Sequence, residues 1–247
     1  MTGPEAIARL HRGMTRQGPG TQEDVRWALA RLDVDARARI ADAGCGPGAD
    51  LLVLARARPG ARIEGIEMMD HLVAEARAAC AGLENVTVRQ GDMADLGTTG
   101  PHDLIWCAGA LYFLGVTEGL RQWREALAPG GAVAFSEPVL EEDAPAAARA
   151  FWAEYPAISD LAGIEERVRA ADFAVLDHRR VAGAAWAGYY RELEARLDAL
   201  SADPEAAGEG PLADLVAATR REIALWQAVP EAVSYALVLV RPEPAGR

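Results

Sequence analysis

Apolar positions along this chain follow two alternating rhythms. Short apolar runs predict strands at Arg39–Ala43 and Arg62–Glu67, then at 85–92, 102–109 and 131–138. Between them, apolar residues recur every three to four positions and predict helices at 21–32, 49–58, 70–82 and 117–127. Thr21 and Asp24 form a capping-box pattern that opens the first of these helices. Pro59-Gly60 and Pro129-Gly130-Gly131 are stop signals. Beyond Pro138 the pattern predicts helices at 145–155 and 160–171, a strand at Phe173–Val181 and a strand at 232–240. A helical stretch lies between those two strands, broken at Asp203-Pro204 and again between Gly208 and Pro211. The segment 241–247 is expected to fray.

Strands and helices that alternate with short connections predict right-handed βαβ units and an α/β fold with a mostly parallel sheet between helical layers. The expectation is one domain over 1–247, made of an N-terminal helical cap at 1–36 and a sheet core at 37–182 and 231–241. The helical insertion at 183–230 is longer than a connection between final strands requires, and it is expected to serve as a lid.

Composition removes several classes of function. The net charge is -12 with no basic tract, so nucleic acid is not an expected partner. All 25 basic residues are Arg. Without Lys there is no Walker-type phosphate loop, no pyridoxal Schiff base and no Tyr-x-x-x-Lys reductase site. Cys45, Cys80 and Cys107 include no C-x-x-C pair, and His11, His71, His102 and His178 lack ligand spacing, so no metal is expected. No apolar run reaches the roughly 18–20 residues that span a bilayer, and the first twenty residues lack an apolar signal core. A cytoplasmic location with no membrane partner is the expectation.

In such sheets ligands bind beyond the carboxyl ends of the strands, so the residues that follow each strand are the informative ones. After the first strand comes "IADAGCGPGAD". Gly44, Gly46 and Ala49 satisfy a dinucleotide fingerprint. Asp42, however, would set a carboxylate near the pyrophosphate, which is unfavourable, whereas a sulfonium and an ammonium gain from it. Glu67 ends the second strand and can accept from the ribose hydroxyls of either cofactor. Asp92 can accept from an adenine amino group, and Met93 can pack on the ring. Cys107 and Ala108 end the fourth strand, where small residues leave room. A nicotinamide-dependent reductase and a non-catalytic binding module stay open as alternatives.

Taken in order, "DAGCGPGAD", Glu67, "GDM", "HDLIWCAGALYFL" and "ALAPGGAVAFSEP" resemble the class I S-adenosylmethionine-dependent methyltransferases. The resemblance implies a Rossmann-like seven-stranded sheet in the order 3-2-1-4-5-7-6 with an antiparallel last strand. It also implies S-adenosylmethionine as cofactor, S-adenosylhomocysteine as product, and methyl transfer to a small molecule by in-line displacement. The cofactor set it suggests is Asp42, Gly44, Cys45, Gly46, Glu67, Met68, Asp92 and Met93, with Cys107 and Ala108 behind them. "RQGPGTQEDVRWAL" and "AAWAGYYRELEARL" are similar to segments of a bacterial small-molecule branch of that family. Arg16 and Gln17 are therefore expected to fold over the cofactor. For the acceptor, Tyr112 and Glu137 are the candidate catalytic groups. Trp152, Trp186, Tyr189 and Tyr190 are the candidate substrate contacts. Trp186, Tyr189 and Tyr190 share one helical face, a stripe that core packing or a homodimer contact would also explain.

Overall fold

The computed structural model describes residues 1–244. Two helices open the chain, α1 (Gly3–Leu10) and α2 (Gln22–Arg31). Each begins at a threonine whose hydroxyl accepts from the N–H three residues on, while an acid at that position reaches back to the threonine N–H. The sequence reading foresaw α2 and missed α1, although Thr2 and Glu5 carry the same signal. Alternation then follows: β1 (Arg39–Ala43), α3 (Ala49–Ala57), β2 (Arg62–Glu67), α4 (Asp70–Ala79), β3 (Val86–Gln90), β4 (His102–Cys107), α5 (Val116–Trp123) and β5 (Leu127–Val139). The remainder is α6 (Ala146–Phe151), α7 (Leu161–Arg169), β6 (Phe173–Val181), α8 (Ala184–Leu200), α9 (Pro204–Ala207), α10 (Pro211–Ala228) and β7 (Ser234–Pro242).

The seven strands form one sheet in the order β3-β2-β1-β4-β5-β7-β6. Strands β1 to β5 pair in parallel, and β7 inserts antiparallel between β5 and β6. The order reverses between β1 and β4, which opens a crevice at their carboxyl ends. Side chains alternate across the central strands. Ile40, Leu104, Ala134 and Leu239 enter the core on one face, and Ala41, Ile105, Phe135 and Val238 enter the core on the other.

Three details differ from the sequence reading. Pro129-Gly130-Gly131 falls inside β5, which starts at Leu127 and passes a register shift opposite His102 and Leu104. The helix expected at 145–155 stops at Phe151. Arg241 and Pro242, expected to fray, pair with Ala174 and Phe173 at the end of β7, and residues 245–247 of that expected tail lie outside the described residues.

Helix α8 is held by its aromatic face. Trp186 and Tyr190 are 2% and 1% exposed. The Trp186 indole N–H donates to the Val181 carbonyl at 3.0 Å, and the Tyr190 hydroxyl donates to Glu222 on α10 at 2.7 Å. Trp186→Ala is expected to cost about 3–5 kcal/mol, the range for deleting a buried large aromatic ring. Urea unfolding measures this, and a loss below about 1 kcal/mol would mean the ring is not a core element.

Candidate functional site

A cavity of about 420 Å³ opens at the carboxyl ends of β1, β2 and β4. Its floor is the loop after β1. The Gly44 and Cys45 N–H groups both donate to the Ile66 carbonyl, at 2.8 and 3.0 Å, so the chain folds back over the end of β2. That fold needs left-handed backbone at Gly44 (φ +74°) and Gly46 (φ +53°). A Cβ added at Gly44 would lie 2.8 Å from the Ala110 Cβ, so no side chain fits between this loop and the segment after β4. Glu67 locks the loop to its neighbours. One carboxylate oxygen accepts from the Gly46 N–H at 3.0 Å, and the other accepts from the Met68 and Met69 N–H groups at 2.9 Å each.

Asp42, at the end of β1, is 2% exposed and borders the cavity. Among the described residues its Oδ2 has no hydrogen-bond partner. Burial, and then the nearby Asp50 carboxylate, push the Asp42 carboxyl well above the usual range, while Arg16 pulls it back. Asp50 lies in the first turn of α3, ion-paired with Arg16, and its Oδ2 accepts from the Trp106 indole N–H at 3.0 Å. The Arg16 pair carries residues 16–19 over the glycine loop. Gln17 arrives with a buried amide nitrogen that has no partner among the described residues. Three carboxylates, one of them unpartnered and deeply buried, make this wall a seat for a cation. An unpaired buried acid is costly unless a ligand completes it.

The structure brings Arg16, Gln17, Asp42, Gly44, Cys45 and Gly46 to this cavity, together with Glu67, Met68, Met93, Ala108 and Tyr112. Cys107 is fully buried behind the wall, and burial pushes its thiol up. Asp92 is exposed and caps a turn, its Oδ1 accepting from the Ala94 N–H at 2.8 Å, while Gly91 and Met93 on either side border the cavity.

Glu137 is 1% exposed and lies off the wall. It accepts from the Tyr155 hydroxyl at 2.8 Å, and Arg167 is 3.7 Å away. Burial outweighs both and raises its carboxyl to about 7. Burial likewise raises the Tyr112 hydroxyl, to about 12. The Tyr155 ring meets Tyr112 edge-on at 5.8 Å, which links Glu137 to the cavity wall.

Trp152, Trp186 and Tyr190 do not border the cavity; they pack in the core. Tyr189 also lies off the wall, with its hydroxyl 3.4 Å from the His11 ring. Trp152 and Trp186 instead pack on Tyr235, at 5.9 and 5.1 Å between ring centroids, and Tyr235 does border the cavity. The sequence reading missed Tyr235, Asp50 and Phe113. Asp50 was signalled as a second acid just past the glycines. Tyr235 carried no local signal, because the antiparallel pairing of β7 with β5 decides which end of β7 meets the crevice. Among the described residues there is no cluster of metal ligands and no helix long and apolar enough to cross a membrane.

Residues 35–193 match a family described as "Methyltransferase domain". A trans-aconitate 2-methyltransferase from Methylobacterium nodulans is 35% identical over 152 residues, which are 60% of this chain and 58% of that protein. The chain thus spans little more than half the length of such relatives. An S-adenosylmethionine-dependent methyltransferase from Geobacter sulfurreducens, solved with S-adenosylhomocysteine, superposes with a TM-score of 0.82 over 97% of this chain and 98% of that one, at 20% identity. One from Thiobacillus denitrificans, also solved with S-adenosylhomocysteine, gives 0.82 over 98% and 100%, at 20% identity.

Glu137 makes a pH prediction. Its folded pKa, about 7, lies above the ordinary 4.5, so the folded protein keeps a proton that the unfolded chain releases. That contribution is complete below pH 4.5 and is lost as pH rises through about 7. Glu137→Gln should therefore gain stability relative to the parent across that window, read from urea midpoints at stepped pH. Parallel curves would show that the carboxyl titrates normally.

Proposed function

Because the chain belongs to the methyltransferase-domain family, we propose that it transfers a methyl group from S-adenosylmethionine to a small-molecule acceptor and releases S-adenosylhomocysteine. The observation that carries this reading is Asp42, a deeply buried carboxylate with a free oxygen beside Asp50 and Glu67 at the glycine loop. Such a wall suits a ligand with an ammonium and a sulfonium, and it opposes the pyrophosphate of a nicotinamide cofactor. Gly44 and Gly46 present backbone and no side chain to the cavity, which lets a ligand approach the loop closely.

When bound, S-adenosylmethionine supplies a methyl carbon activated by the sulfonium. Asp42 holds the cationic end, and the unpartnered Gln17 amide can donate to a carboxylate or hydroxyl there. Glu67 keeps free acceptor capacity for ribose hydroxyls beyond its three backbone donors. Met93 and Leu72 offer apolar wall for the adenine. Arg16, clamped on Asp50, keeps residues 16–19 over the site and excludes water. Tyr112 and Tyr235 border the end left for the acceptor, where orientation in line with the breaking bond does most of the catalytic work. We further read the chain as an enzyme without a nucleic-acid partner, on its net charge of -12.

Titration calorimetry with S-adenosylhomocysteine is the direct test, and tight NADH binding with no response to S-adenosylhomocysteine would overturn the assignment. A methylated product from a metabolite library separates an enzyme from a module that only binds. Glu67→Ala should weaken S-adenosylhomocysteine binding by about 1–3 kcal/mol, as for hydrogen bonds to a charged group. Binding to a raised-pKa Asp42 has a further consequence. S-adenosylmethionine should displace a proton and bind more tightly as pH rises, with a steeper slope than S-adenosylhomocysteine, which lacks the sulfonium. Calorimetry in buffers of different ionisation enthalpy reads the proton count, and Asp42→Asn should abolish the difference in slope.

A further inference from the structure

Resting on the methyl-transfer reading, we propose that the acceptor is an amine carried on an apolar body, and not a polycarboxylate such as the trans-aconitate that names the curated relatives. Among the described residues the charged side chains bordering the cavity are Arg16, Asp42, Asp50 and Glu67, one cation against three acids. Arg16 is already engaged by Asp50. A polycarboxylate needs guanidinium or ammonium partners once it is desolvated. This chain has no Lys. Arg167, the guanidinium near Glu137, lies off the wall, where it donates to the Ala157 carbonyl and the Ser159 hydroxyl at 3.0 Å each.

The acceptor end is aromatic instead. Tyr112 and Phe113 stand 4.6 Å apart, and Tyr235 faces the same space against Trp152 and Trp186. Aromatic faces attract ammonium groups and repel anions. Behind them is Glu137, hydrogen-bonded to Tyr155, with an Oε2 that has no partner among the described residues. At the mouth, Phe113 is 77% and Met68 62% exposed, an apolar rim that a hydrophobic substrate body would cover. The net charge of -12 also draws cations toward the protein.

The reaction balances without a further reagent. An amine reaches the site as its ammonium and releases one proton to water. The free nitrogen lone pair then forms the nitrogen–carbon bond while the carbon–sulfur bond breaks and sulfur keeps the pair. The positive charge moves from sulfur to nitrogen, and a primary or secondary amine gives its extra proton to water. The acceptor end must therefore tolerate a cation before and after transfer, which its aromatic rings suit.

The test uses matched probes. With and without saturating S-adenosylhomocysteine, the full chain is titrated with 2-phenylethylamine, 3-phenylpropionate and trans-aconitate, and each is also assayed for S-adenosylhomocysteine release from S-adenosylmethionine. We expect 2-phenylethylamine to bind at least tenfold more tightly than 3-phenylpropionate, with methylated product from the amine alone. Phe113→Arg should reverse the preference, and circular dichroism checks that this exposed position leaves the fold intact. Equal or weaker binding of the amine, or turnover of trans-aconitate, overturns the proposal. Failure of the methyl-transfer reading shows separately, as absent S-adenosylhomocysteine binding, because the amine preference is also read without that ligand.

Discussion

Asp42 and Asp50 are two interacting carboxylates with almost no exposure, and the rest of the site follows from how that charge is handled. A buried acid must find donors, a countercharge or a proton. Asp50 finds donors in Arg16 and Trp106. Among the described residues Asp42 keeps one oxygen without a partner, which makes it the part of the wall that a ligand can complete. Arg16 is the cation that the described residues bring to these two acids and Glu67 at the cavity.

The same ion pair recruits the start of the chain. Residues 16–19 have little apolar content of their own, yet they lie over the glycine loop because Arg16 is paired with Asp50. Thr15 adds two hydrogen bonds to Glu192 on α8, at 2.7 and 2.5 Å, and Arg196 of the same helix donates to the Leu10 and Arg9 carbonyls at 3.1 and 2.9 Å. The cover of the cavity is thus fastened to α8, and α8 is fastened to the core by Trp186 and Tyr190. A change in the cavity cover and a change in α8 are mechanically linked through named contacts. Covering elements of this kind open more easily than the sheet beneath them, because they depend on a few polar contacts and not on a continuous apolar face.

The sheet supplies the fixed frame. Its central strands are buried on both faces, so their ends cannot shift without disturbing two cores. Glu67 converts that rigidity into loop geometry by tying the glycine loop and the start of α4 to the end of β2.

The elements and their alternation were legible in local pattern, since periods of two and of 3.6 residues are properties of neighbouring positions. The bounds of β1, β2 and β6 agree with the sequence reading, and the glycines with Asp42 and Glu67 were legible because turn geometry and strand ends are set within a few residues. α1 was legible too, through Thr2 and Glu5, and was overlooked. Which side chains meet depended on packing between elements far apart in the chain. Trp186, Tyr189 and Tyr190 form a helical stripe whichever way it faces, and only packing against Val181, Glu222 and Tyr235 turned Trp186 and Tyr190 into the core. Tyr235 reached the cavity because β7 runs antiparallel, a choice no residue near Tyr235 encodes. Glu137 and Asp50 differ for a related reason. Both are acids near strand or helix ends, yet burial behind Tyr155 withdrew one from the wall while Arg16, 34 residues away in the chain, held the other at it. Contacts between distant residues depend on the closed shape of the whole chain, and local pattern contains no record of them.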